Sequence, residues 1–393
     1  MKKILFIAGC QKRGNSTGLI GMTLSAFANF DRTEYELSLY DTSYFEEHNP
    51  ADYPVNNYYC MPKSSLDKII KCIPWFRGKY ADCLQRRTLK KILRSYSFDL
   101  VVIYQIPVWA DLCVELCNKK NITVMMWPWG SDILRCSGRA KEHIKRAFRN
   151  VDLVGGAPKS NCILSAQNDY GVPESKLRLS KIRMAGVKML QDLSGTKSRR
   201  EMHQEIGIPY SDFNIVCSYN GDEAHRHRNI VESIVANKDV LPQNYQLIFP
   251  MTYGASPEYL DSIRHLCEEN QLHAVFLTEF LSDEQMAYLH LVTDLFIAIL
   301  VSDCGNGFMI ESLFAKNRIV TGKWLHYEQF EQFGIPYHLI DTPEDLPQML
   351  REIFTDKVSS PEIPEKLVEM YRVPEDYDRG AYRKAIIDEY SNR

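Results

Sequence analysis

At 393 residues the chain is too long for one ordinary core, and two α/β domains of roughly 150 to 200 residues each are expected. Apolar residues at 45%, charged residues at 25% and a net charge of -3 are the make-up of a soluble globular protein and give no global reason to expect nucleic acid as a partner. No window approaches eighteen apolar residues in a row, and Met1-Lys2-Lys3 leads straight into Ile4 to Ala8, so a cytoplasmic protein is expected. The eleven cysteines are scattered: the closest pair, Cys113 and Cys117, sits in a helical pattern with no second pair at ligand spacing. They are read as reduced, buried thiols, and no metal site is expected.

In chain order, short apolar runs occur at Ile4 to Ala8, Leu100 to Tyr104, Thr123 to Trp127 and Leu153 to Gly155. A second series follows at Ile215 to Ser218, Gln246 to Phe249, Ala274 to Leu277, Leu295 to Leu300 and Arg318 to Thr321. Continuous rather than alternating hydrophobicity, with amphipathic stretches between, predicts strands covered on both faces, hence parallel sheets of doubly wound type. The polar stretch from Ser194 to Arg200 separates the two series. The expected division is a first domain over 1–195, a second over 196–373, and a polar C-terminal helix over 374–393 that packs back across the junction. Ligands of such sheets bind beyond the carboxyl ends of the strands, in a cleft where two sheets face each other.

The segment from Leu295 to Ala315 carries the most chemical information. An apolar strand ends in Ser302-Asp303-Cys304-Gly305-Asn306-Gly307-Phe308, and a helical pattern follows. Glycines let backbone N–H groups approach a ligand, and a helix start favours an anion, so the loop suits a diphosphate. Glu311, early in the helix, is placed to accept ribose hydroxyls, and Asp303, on the other side of the phosphates, to meet sugar hydroxyls.

Here the sequence resembles the GT-B glycosyltransferases, many of which carry E-x7-E at this place; Asp303-x7-Glu311, followed by Ser-Leu-Phe-Ala and Arg318 to Thr321, is similar in spacing and context. The departure is Asp for the first Glu, which shortens its reach. Trp129-Gly130-Ser131-Asp132 resembles a segment in the acceptor domain of enzymes that build bacterial surface polysaccharides. Ser218-Tyr219-Asn220-Gly221 with His227, and Phe249 to Gly254 followed by Thr278 to Ser282, resemble their donor-domain strand ends. The resemblance spans roughly residues 100 to 330. It implies two Rossmann-like domains facing a central cleft and transfer of a sugar from a nucleotide-sugar donor to a glycan or lipid-linked acceptor. The nucleotide-sugar is a substrate, so no cofactor is expected.

In the cluster His225-His227 with Arg226 and Arg228, the resemblance implies a basic residue that neutralises the diphosphate, for which the guanidinium fork is suited; a solvated helix start is the plainer alternative. Asn220, Phe280 and Leu281 complete the expected donor side, the last two either packing on the base or belonging to the core. Gly9 to Gly18, with Gly14 and Asn15, and Ser131 are expected on the acceptor side. The Gly9 to Gly18 loop also looks like the first loop of flavodoxin-type reductases, which end near one repeat. Asp132 is either a helix N-cap or an acceptor contact, and it is the first candidate for a general base.

Between Lys63 and Arg94 ten Lys or Arg stand against Asp67 and Asp82, interleaved with Trp75, Phe76 and aliphatic residues. Such a stretch predicts either peripheral association of residues 63–94 with an anionic membrane, or a solvated helical face. The rival functions are a nucleotide-sugar epimerase on the same fold and a non-catalytic carbohydrate-binding subunit.

Overall fold

The computed structural model describes residues 1–9, 33–43, 49–64, 67, 70, 73–179, 185–305 and 307–374. Gly14, Asn15, Asn306 and nearly all of the expected C-terminal helix lie outside them. The chain divides into two compact units, one holding the described residues up to 179 and the other those from 185 to 374.

The first unit is built on β1 (Lys2–Ala8), β2 (Tyr35–Asp41), β3 (Asn57–Tyr59), β4 (Leu100–Tyr104), β5 (Thr123–Trp127), β6 (Leu153–Gly156) and β7 (Leu177–Leu179). Its described helices are α1 (Pro74–Ser95), α2 (Ala110–Asn118), α3 (Ser131–Leu134), α4 (Gly138–Asn150) and α5 (Asn161–Asn168). All strand pairs are parallel, in the order β3-β2-β1-β4-β5-β6-β7.

The second unit carries α6 (Ala185–Leu193), α7 (Arg199–Ile206), β8 (Phe213–Cys217), α8 (His227–Val235), β9 (Tyr245–Pro250), α9 (Pro257–Glu269), β10 (Ala274–Leu277) and α10 (Asp283–Val292). It continues through β11 (Leu295–Ala298), α11 (Gly307–Phe314), β12 (Arg318–Gly322), α12 (Glu328–Glu331), β13 (His338–Ile340), α13 (Leu346–Phe354) and α14 (Glu365–Tyr371). The sheet is again all parallel, in the order β10-β9-β8-β11-β12-β13.

The expected double burial is visible residue by residue. Ile215 and Cys217 of β8, Leu295 and Ile297 of β11 and Val320 of β12 enter one apolar cluster, while Val216, Phe296, Ala298 and Ile319 enter the cluster on the opposite face. Helix starts follow local chemistry: Ser198 with Glu201 and Ser282 with Gln285 form capping boxes at α7 and α10, each satisfying otherwise unpaired N–H groups.

The domain boundary lies earlier than the Ser194 to Arg200 stretch. Helix α6 packs against α10 and α11, so its apolar face belongs to the second core. The last described residues also return to that unit: Val373 donates its N–H to Gln191 Oε1 at 3.0 Å.

Candidate donor site at the switch point of the second sheet

In the second sheet the strand order runs outward in opposite directions from β8 and β11, so the switch point at which such sheets bind ligands lies at the loops that follow them. Those loops are stitched together. Val301 N–H donates to the Ala224 carbonyl at 2.8 Å, and Gly221 N–H to the Tyr253 carbonyl at 2.7 Å, bringing in the loop after β9. Two non-glycine residues adopt left-handed backbone here, Ser218 at φ 65° and Arg226 at φ 56°. Such conformations persist only where the surroundings hold them. The buried Ser218 hydroxyl bonds His225 Nδ1, and the ring of His225 stacks on that of His227.

Asp303 is 6% exposed, and its carboxylate is gripped from two sides. Tyr219 Oη donates to Oδ1 at 3.1 Å and Tyr327 Oη to Oδ2 at 2.8 Å. Burial, and next the Asp303 charge, push both phenols well above their ordinary range, so both remain protonated donors. Gly305 follows at φ 76°, a backbone conformation that residues with a side chain rarely adopt, and a Cβ there would displace the Gln329 side-chain amide 1.8 Å away.

Helix α11 begins at Gly307, and Phe308 buries its ring against Tyr219, His290 and Phe296. Glu311, 8% exposed, turns toward its own unit: Oε2 lies 3.0 Å from His290 Nε2, and a Cβ on Gly186 would stand 1.9 Å from Oε1. Ser312 Oγ lies 3.2 Å from His290 Nδ1. The expected ribose carboxylate is thus oriented by a buried imidazole that no sequence motif announces.

The basic cluster separates into three roles. Arg228 is exposed and lies 3.9 Å from Glu232, the solvated alternative of the two readings. His227 is fully buried beside Tyr259 Oη at 3.2 Å, and burial lowers its pKa to about 4. Arg226 is half-buried, its guanidinium 5.3 Å from the Trp324 ring centroid and its buried Nη1 with no hydrogen-bond partner among the described residues. Trp324 is itself tied to the β11 loop, donating Nε1–H to the Leu300 carbonyl at 2.7 Å. Asn220 uses Oδ1 to accept from Asp222 N–H at 2.8 Å, a turn role. Phe280 stacks on Tyr253 with centroids 6.1 Å apart, and Leu281 packs on the core.

In the first unit Asp132 is not the helix N-cap, a position that Gly130 takes. It lies inside α3 rather than before it, and its carboxylate accepts N–H groups of Ile106 at 2.9 Å, Trp129 at 3.0 Å and Gly130 at 2.8 Å. It therefore pins the loops after β4 and β5 to each other, and burial raises its pKa against the lowering effect of those bonds. Ser131 is exposed at the start of α3.

No known protein-family profile matches the sequence, and no curated protein sequence does. Solved structures do match. HepE of Anabaena in complex with UDP and glucose superposes with a TM-score of 0.67 at 14% identity over 100% of both chains. The lipopolysaccharide outer core galactosyltransferase WaaB gives 0.60 at 12% identity over 99% of both. UDP-GlcNAc 2-epimerase of Neisseria meningitidis bound to UDP-GlcNAc gives 0.54 at 12% identity over 100% of both. At such identities similarity speaks for architecture, and with two parallel sheets of matching strand order the chain has the two-Rossmann-domain fold of the GT-B glycosyltransferases.

Proposed function

We propose that the protein transfers a sugar from a nucleotide-sugar donor to a hydroxyl of a glycan or lipid-linked acceptor in bacterial surface polysaccharide synthesis. The observation that carries this reading is the switch point between β8 and β11, where a glycine loop leads into α11 and the buried Arg226 Nη1 has no hydrogen-bond partner among the described residues. In the reaction the bond from the anomeric carbon to the diphosphate oxygen breaks, the acceptor oxygen bonds that carbon, and the acceptor proton passes to the departing diphosphate or to solvent. Charge grows on the departing diphosphate, and Arg226 with the N–H groups at the start of α11 stabilises it. Glu311, held by His290, takes the ribose. The fold shared with HepE, captured with UDP and glucose, supports a nucleotide-sugar as the donor.

A lipid-linked acceptor fits the outer surface of α1. Phe76, Lys79, Arg87, Lys90 and Arg94 are exposed along one stripe of that helix, with Lys91 beside them, and the described acidic residue of the helix, Asp82, is half-buried. That stripe favours peripheral association with the inner, anionic face of a membrane. Among the described residues no helix is long and apolar enough to cross one.

A thermal-shift screen with UDP-, GDP- and dTDP-sugars tests the donor site, because ligand at a hundred times its dissociation constant stabilises by roughly 2.7 kcal/mol. No shift with any of them would reject the assignment. Because an epimerase shares the fold, incubation with UDP-N-acetylglucosamine alone is the second test. A changed sugar configuration without acceptor would replace transfer by epimerisation.

A further inference from the structure

Asp303 is one methylene shorter than the glutamate it stands for in the E-x7-E pattern, and the structure shows what occupies the difference. Tyr219 comes from the loop after β8 and Tyr327 from the turn after β12, so the carboxylate joins the ends of three neighbouring strands. Tyr327 is itself fixed. Its ring is 1% exposed between Phe330 and Tyr337, and its N–H donates to Glu331 Oε1 at 3.1 Å, which also accepts from Tyr337 Oη at 2.6 Å. Tyr219 is braced by Phe308 of α11 on one side and His225 on the other. Neither hydroxyl can retreat without moving a packed ring, so the depth of the carboxylate is set by the tyrosines as much as by its own length.

We propose that Tyr219 and Tyr327 are positioning residues of the donor site that act through Asp303, their hydroxyls taking the place of the missing methylene and fixing the loop that holds the sugar end of the donor. The proposal rests on the donor-site reading above. It makes Asp303 and the two phenols one unit: lengthening the acid is harmful while both hydroxyls are present and tolerable once one is gone, since losing an oxygen makes room for a carbon.

The test measures binding of UDP-glucose, UDP-N-acetylglucosamine and GDP-mannose against the matching free diphosphates by calorimetry, with circular dichroism to confirm folding. The readout is the ratio of nucleotide-sugar to diphosphate affinity, which general loosening of the fold would not change selectively. Tyr327→Phe and Tyr219→Phe are each expected to lower that ratio roughly tenfold, the scale of one hydrogen bond to a charged group. Asp303→Glu alone is expected to lower it similarly, and Asp303→Glu with Tyr327→Phe to recover most of the loss. If Tyr327→Phe fails to fold, the pair Asp303→Glu and Asp303→Glu with Tyr219→Phe carries the same comparison. An unchanged ratio in Asp303→Glu, or a double variant no better than Asp303→Glu, overturns the proposal while leaving the donor site standing. A wild-type protein that binds the free diphosphates but gains nothing from the sugars also overturns it, and one that binds none of the probes overturns both.

Discussion

The two units order their strands alike, yet the carboxyl ends of their sheets are finished differently. In the first, Tyr104 stacks on Phe6 and Trp127 and tilts against Trp129, and the half-buried acid, Asp132, accepts from three backbone N–H groups. In the second, the acids are held by side chains: Asp303 by two phenols and Glu311 by an imidazole. A carboxylate bonded to the main chain is part of the scaffold, because releasing it unmakes the loops it joins. One bonded to hydroxyls and an imidazole is held through packed rings, so its position is set by the core around it. The same topology therefore fixes its acid through the main chain in one unit and through packed side chains in the other, and side chains locked by packing are what hold a binding group in place.

The hardest blow to this contrast would come from Asp132. Asp132→Ala leaves three N–H groups without their acceptor, and an expected loss of about 4 kcal/mol follows from the cost of orphaned buried donors. Urea unfolding of the full chain measures it, with nucleotide affinity expected to stay unchanged in the folded protein. A variant as stable as the wild type would mean that Asp132 is no pin, and the contrast between the units would fail at its first member.

Acid sensitivity is expected to be concentrated in the second unit. His227 has its pKa lowered from 6.5 to about 4 by burial, so as pH falls the unfolded chain takes up the proton first. Its contribution is fully present above pH 6.5 and is lost progressively between 6.5 and about 4, in total about 3 kcal/mol. His227→Phe forfeits the contact with Tyr259 at every pH but should flatten the slope in that window. Equal slopes for variant and wild type, from urea titrations at several pH values, would remove His227 as the source.

Glu311 sharpens the comparison from the ligand side. Glu311→Gln is isosteric and keeps an oxygen toward His290, so the fold should hold, while nucleoside diphosphate affinity drops by about 1.5 to 3 kcal/mol with the loss of a charge-assisted bond. Full affinity in a folded Glu311→Gln protein would show that the acid only anchors His290, and the donor-site assignment would lose its ribose partner.

Much of this architecture is legible in the chain itself. Among the described residues nine strands announce themselves as apolar runs because their two faces are covered, in β10 only in part. The four that do not are β2, where Glu36 and Ser38 interrupt the run although Ser38 is buried, and the three-residue strands β3, β7 and β13 at the sheet margins. Too few residues are covered there to leave a pattern. The loop from Asp303 to Gly307 is legible because glycines and a helix start have local signatures. Its partners are not. His290 lies 21 residues before Glu311, and Tyr327 lies 24 after Asp303 with no motif around it. Such pairs are created by packing, and only Tyr219, within Ser218 to Gly221, stands in a segment that sequence reasoning could single out.

The mildest expected effect belongs to the first unit, and it asks whether the scaffold half has a surface role of its own. On α1, Lys90 and Lys91 are exposed, next to Arg87 and Arg94 on the same side of the helix, and Leu89, Ile92 and Leu93 point inward. The two lysines can therefore be changed without touching the core. Each exposed base near an anionic surface is worth about 1 kcal/mol, so Lys90→Gln and Lys91→Gln should each weaken partition onto phosphatidylserine-containing vesicles about fivefold. Phe76, 39% exposed near the start of the helix, adds an apolar contact that salt does not screen. Flotation of the full chain at low and high salt separates the two contributions: the lysine variants should lose binding at low salt and match the wild type at high salt. Vesicle binding unaffected by either lysine would leave α1 as a solvated face, and membrane contact, if observed, would have to come from elsewhere on the molecule.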